Sequence, residues 1–171
     1  MGASQSQRAL IAVDTNVLFD LADEVEDVAD AMLVIGRRVR SPQLLMPPTV
    51  REELAEEALH GEEFEKREKA RRAFQLARTW KIQPVELLAD QHDAARAIGR
   101  RLRALSLLPE DEVNDGLILA EAALLACSIL LTSDEHLRSM DFARLAFELQ
   151  ACNAAVPVIA TPREIVRKFF G

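Results

Sequence analysis

Four places in the chain put carboxylates where they can act together. Asp14 directly follows the apolar run Leu10-Ile11-Ala12-Val13, and Asp134 follows the run Ser128 to Thr132 after a single serine. Glu52 and Glu53 fall just after the pair Pro47-Pro48, and Asp115, with Asp111 and Glu112 before it, opens an apolar stretch that reaches Cys127. Carboxylates held at one point repel and raise each other's pKa, so a cluster of three or four is tolerable mainly when a cation compensates it. Hard oxygen ligands select Mg²⁺ or Mn²⁺. Such an ion activates a water as nucleophile and stabilises the departing oxyanion of a phosphodiester.

Each acid also has a plainer role. Glu52 lies at capping-box spacing from Thr49, and acids in the first turn of a helix are favoured by the macrodipole, which covers Glu53, Asp111, Glu112 and Asp115. Asp14 and Asp134 can be turn or cap residues. Those roles leave the repetition unexplained, because aspartate closes a buried-type strand twice.

The elements that must position these acids read as alternating strands and helices. Leu10 to Val13 suits a strand buried on both faces, and Asp14 then sits at its carboxyl end, where ligands bind in open α/β sheets. A helix over Val17 to Ala22 follows, capped by Thr15 and Asn16, and a second over Val25 to Val39 places Val28, Met32 and Ile35 inward. Gln43 to Met46 reads as a strand closed by prolines; the next helix carries Val50, Leu54 and Leu59 as its apolar stripe and ends near Gly61. Residues 62–80 form a charged helix with Phe64, Ala70, Phe74 and Ala77 on a thin apolar side, expected to project or lie at the edge. Ile82 to Val85 is a short edge strand, and 86–105 a helix with Leu88, Ala95, Ile98 and Leu102 inward. A central helix over Asp111 to Cys127, a buried strand over Ser128 to Thr132, a helix over Asp141 to Ala151, a strand over Val156 to Ala160 and a helix over Arg163 to Phe170 complete the chain. The fold class is α/β, a three-layer α/β/α sandwich with a central, mainly parallel sheet. If the strands ending in Asp14 and Asp134 lie side by side, the two aspartates converge.

The 171 residues suffice for one domain, 1–171, with the charged helix at about 62–80 as an extension. Net charge is −7, which disfavours nucleic acid if spread evenly. It is clustered instead: Arg37, Arg38 and Arg40, then Lys66 to Arg72, then Arg96, Arg100, Arg101 and Arg103 leave local positive surface for phosphates, or are solvated helix faces. Cys127 and Cys152 have no metal or redox spacing and fit a reducing compartment. No run approaches a membrane span and the start MGASQSQ lacks the apolar core of a secretory signal, so the cytoplasm is expected; Gly2 and Ser6 match the loose myristoylation pattern.

The string VDTNVLFD resembles the opening of PIN-domain nucleases, in which a strand runs into Asp-Thr-Asn followed by an apolar pair. PTVREEL is similar to their second block, NDGLILAEAALLACSILLTSDEHL to their third and fourth, and VPVIATPREIVRKF to their last strand and helix. The blocks stand in the family's order along nearly the whole chain. The resemblance implies a metal site of Asp14, Glu53, Asp115 and Asp134, with Asn16 and Thr132 orienting the acids and water. It also implies Mg²⁺- or Mn²⁺-dependent endonuclease action on RNA. Glu53 precedes the leucine as the family's glutamate does, while Glu52 competes with it. Among these nucleases the VapC toxins, paired with antitoxins, are shorter, and the excess here lies at 62–80. Expected partners are an RNA substrate held in part by Arg100, Arg101 and Arg103, an antitoxin protein, and a second copy in a homodimer; a housekeeping nuclease is the other role.

Two further readings compete. A non-catalytic scaffold would keep the fold and hold RNA or protein through its basic helices. A phosphotransferase of the haloacid-dehalogenase kind also places aspartate after its first strand, but its chemistry wants a second aspartate two residues on, where this chain has Asn16.

Overall fold

A computed structural model describes residues 8–170; the Gly2/Ser6 pattern lies outside them. Five strands form one parallel sheet: β1 (Ala9–Val13), β2 (Pro42–Met46), β3 (Gln83–Pro84), β4 (Ile129–Leu131) and β5 (Val158–Ala160), in the order β3-β2-β1-β4-β5. The central strand is the most apolar at its carboxyl end. Ile11, Ala12 and Val13 have no exposed surface, and Leu130 and Leu131 beside them are equally buried. The pairing runs Ile11 to Ile129, Ala12 to Leu130 and Val13 to Leu131, and the next backbone N–H, that of Asp14, continues the ladder to the Leu131 carbonyl at 3.0 Å. The two strand ends that carry aspartates are thus neighbours.

From β1 the chain steps outward through β2 to β3, then returns across the sheet to β4 and β5. Right-handed crossovers place the connections of these two halves on opposite faces. The first half supplies α1 (Thr15–Ala22), α2 (Glu26–Arg38), α3 (Pro48–His60) and α4 (Phe64–Thr79). The second supplies α5 (Ala89–Ala104), α6 (Val113–Leu124), α7 (Glu135–Arg138) and α8 (Phe142–Ala151), and α9 (Pro162–Phe170) closes the chain against α2. The α/β/α sandwich read from the sequence is the observed architecture. The reversal of strand order between β1 and β4 makes their carboxyl ends the switch point, where the sheet opens a crevice.

Several local expectations change. Thr49 does not cap α3: Pro48 occupies the first helical position and Pro47, which has no side-chain acceptor, is the cap. The capping box is instead at α9, where the Thr161 hydroxyl accepts from the Glu164 N–H at 3.2 Å and the Glu164 carboxylate accepts from the Thr161 N–H at 3.3 Å. Leu59 and Leu88 are exposed rather than inward; Ala58 completes the α3 stripe, and Leu88 stands at the cap of α5, before its helical register begins.

The charged helix α4 packs on α1 and α3 rather than projecting. It does so through Ala70, Ala73 and Ala77, which are buried, while Phe64 is exposed. Small residues let the helix lie close, and ion pairs from Lys69 to Asp23 and Arg72 to Glu24 fasten it to the turn after α1. No helix among the described residues is long and apolar enough to cross a membrane.

Candidate active site

Asp14 is the buried centre of the switch point, with 2% of its surface exposed. As the residue that leaves β1 and caps α1, it accepts a hydrogen bond from the Thr15 N–H on Oδ1 at 2.7 Å. Its Oδ2 accepts from the Thr132 hydroxyl at 2.6 Å. Thr132, fully buried just past β4, also accepts from the Asp134 N–H at 2.9 Å. One hydroxyl therefore ties the two aspartates together. Asp134 caps α7 by accepting from the Leu137 N–H at 3.0 Å.

Glu53 reaches the same place from α3, its Oε1 accepting from the Thr15 hydroxyl at 2.9 Å. Glu52, one residue earlier, turns outward and is exposed. Asp115 enters from the first turn of α6, and its Oδ2 is buried without a hydrogen-bond partner. An orphaned carboxylate oxygen in a native site calls for a ligand, a water or an ion.

The carboxylates act on one another through their charges. Burial pushes Asp14 up from 3.8 to about 6 against the opposing hydrogen bonds from Thr132 and Thr15, and the charges of Glu53 and Asp134 add to the rise. Asp115 is pushed up to about 8, first by burial and then by repulsion from Asp134, Asp14 and Glu112. Glu53 is raised by burial, partly offset by hydrogen bonds from Thr15 and Asn114. Two ionised aspartates in this crevice are costly without positive charge, which is the condition a divalent cation relieves.

Among the described residues, no three carboxylate, imidazole or thiol side chains converge as a ready metal-binding set. The donor chemistry nonetheless fits a hard cation. Each Asp14 oxygen accepts only one of these bonds and keeps further lone-pair capacity, Asp115 offers an unused oxygen, and Mg²⁺ commonly takes one or two carboxylates and keeps water for the rest.

The chain belongs to the PIN domain family. The match covers residues 11–143, from β1 into α8, and so includes all four acids. No curated protein matches the sequence. Among solved structures, a chain of VapBC2 from Rickettsia felis, determined bound to a DNA fragment from its promoter, has the same fold; the TM-score is 0.63 over 89% of this chain and 98% of that one, at 10% identity. PIN domains are nucleases that generally use divalent metal ions.

Within this PIN domain the remaining sequence expectations divide. Asn16 accepts from the Ser133 N–H at 3.0 Å, and the Ser133 hydroxyl donates to Asp20 at 3.1 Å, so α1 holds the loop between Thr132 and Asp134. Arg101 is ion-paired with Glu148 on α8, whereas Arg100 and Arg103 line a separate cavity. Three residues escaped the sequence reading. Thr15 binds Asp14 and Glu53 at once, and its place after Asp14 was the available signal. Asn114 faces Glu53 from α6. Glu121, deep in α6, accepts from both the N–H and the hydroxyl of Thr49, at 3.1 and 2.5 Å, across 72 residues. That buried contact locks α3, which carries Glu53, to α6, which carries Asp115.

Proposed function

We propose that this PIN domain is an endoribonuclease dependent on Mg²⁺ or Mn²⁺, which cuts RNA phosphodiester bonds by attack of a water. The observation that carries the reading is the unpartnered, buried oxygen of Asp115, on a carboxylate where Asp134, Asp14 and Glu112 raise the cost of negative charge. Asp14 and Asp115 would be the principal ligands, with Glu53 and Asp134 holding ion or water at the rim. A bound divalent cation supplies the charge that lets a water ionise near neutral pH and that offsets charge gathering on the phosphate. Thr132 holds one Asp14 oxygen and Thr15 the other, so the carboxylate plane is set before anything binds. Thr15 also orients Glu53, whose raised pKa suits it to take a proton from a water beside the scissile bond.

The toxin half of a toxin–antitoxin pair, acting in the cytoplasm, is the biological setting this reading favours, with an antitoxin and a second copy of the chain as partners. One observation favours a second reading, a scaffold that holds RNA or protein without cutting it: the chain is acidic overall, at −7, while its basic residues are gathered into separate clusters. Purified protein incubated with mixed single-stranded and structured RNAs in Mn²⁺, Mg²⁺ or EDTA, beside Asp14→Asn, separates them. The nuclease cleaves only with metal and only with Asp14. A folded protein that neither cleaves nor binds Mn²⁺ by calorimetry is the scaffold.

A further inference from the structure

A crevice of four acids on a chain of net charge −7 repels the polyanion it would cut, so affinity for RNA has to come from local positive surface. Most of the basic clusters are committed or misplaced. On α4, Lys66 pairs with Glu63, Lys69 with Asp23, Arg71 with Glu68 and Arg72 with Glu24, and Arg67 donates to the Gly61 and Glu62 carbonyls. Arg101 is held by Glu148. Arg37 lines a cavity beside Pro42 and Gln43, at the amino end of β2, the opposite end of the sheet from the acids.

Near the acids lies a groove of about 960 Å³ between the end of α5 with the loop after it and the turn from α7 into α8. Arg100, Arg103 and Arg144 line it, against Glu110 and Asp141. Among the described residues, Arg100 and Arg103 make no ion pair. Arg144 spends one Nη on the Leu105 carbonyl at 3.1 Å, leaving further donors, and Asp141 is already occupied in capping α8. Apolar Leu107, Leu108 and Met140 also line the groove. His136 is a further lining residue; it lies 3.6 Å from Glu112, whose charge acts on Asp115, and two residues after Asp134. The groove therefore adjoins the acidic crevice.

We infer that this groove holds the sugar-phosphate backbone of the RNA strand beside the scissile bond, with Arg100, Arg103 and Arg144 each taking a phosphate. The inference rests on the RNA-cleaving reading for its ligand and extends it by saying where the strand lies. Guanidinium forks match phosphate geometry, and three such contacts set a salt dependence for single-stranded RNA with a log–log slope of about −2.

The test uses Asp14→Asn protein in EDTA, so that nothing is cut, and a fluorescently labelled single-stranded RNA followed by anisotropy over a salt series. Arg100→Ala and Arg144→Ala are each expected to weaken binding roughly threefold to tenfold and to flatten the slope by about 0.7, while the pair Lys66→Ala and Arg71→Ala changes neither. Because the Arg103 guanidinium covers the contact between Gly99 and Gly116, Arg103 is left unchanged in the series. An unchanged slope in both the Arg100 and Arg144 variants, an equal loss from the α4 pair, or no RNA binding at all overturns the inference. Cleavage by the wild-type protein is read separately. If it cuts while the groove variants bind as it does, the groove is wrong and the nuclease stands; if it never cuts while they bind worse, the nuclease is wrong and the groove stands.

Discussion

Replacing Asp14 with asparagine should make the metal-free protein more stable while removing its cleavage. The folded-state pKa of Asp14 is raised from 3.8 to about 6, so its favourable contribution is complete below 3.8 and is lost as pH rises through 6. A shift of about 2 units corresponds to about 3 kcal/mol of destabilisation at pH 8 and, by linkage, about 1.5 kcal/mol at pH 5. Asparagine resembles the protonated acid in shape and in hydrogen bonding: its oxygen can accept from the Thr15 N–H and its amide can donate to Thr132. The gap between variant and wild type should therefore widen by about 1.5 kcal/mol between pH 5 and pH 8, which is roughly 3–6 °C in melting temperature for a chain of this size. Thermal unfolding of both proteins in EDTA at the two pH values measures it. A gap that does not change with pH, or a variant equally destabilised at both, refutes the assignment of Asp14 as a carboxylate held against its preference.

Other consequences are as direct. Thr132→Val deletes the hydroxyl that serves Asp14 and the Asp134 N–H together, and denaturant unfolding should show a loss of about 1–3 kcal/mol. Mn²⁺ should raise the melting temperature more at pH 8 than at pH 5, since ligand carboxylates must shed their protons to bind; a shift independent of pH would place the ion elsewhere. Gly116→Ala puts a Cβ 3.3 Å from both the Gly99 Cα and an Arg103 nitrogen, so α5 and α6 must give by a few tenths of an ångström, which offsets the gain in helix propensity. Gly36→Ala meets nothing within 4 Å inside α2 and should stabilise by about 0.5–1 kcal/mol, so its urea midpoint should lie above that of Gly116→Ala.

The order of strands and helices was legible because buried parallel strands are short, continuous apolar runs, and β1 and β4 both are. Their adjacency was not, since nothing local in either run records which strand it pairs with. The misplaced capping box is instructive. Thr49-x-x-Glu52 and Thr161-x-x-Glu164 have the same pattern and both follow the rules of spacing. Proline decides between them: as the first helical residue, Pro162 leaves Thr161 at the cap, whereas Pro48 pulls Thr49 inside the helix, where Glu121 captures its hydroxyl. The choice of Glu53 over Glu52 turns on which side of α3 faces Thr15, a tertiary fact. The helix α7, of four residues, is too short to leave a periodic trace.

The pairing of β1 with β4 also fixes when the crevice can exist. Thr132 and Asp134 lie 118 residues and more beyond Asp14, and the hydrogen bond that sets the Asp14 carboxylate closes across that whole span. Domains fold as units and distant strand pairings are completed late. A growing chain thus carries Asp14, its partners unmade, through the synthesis of all the residues between them. Whatever this constellation does, it cannot do until β4 has left the ribosome and docked.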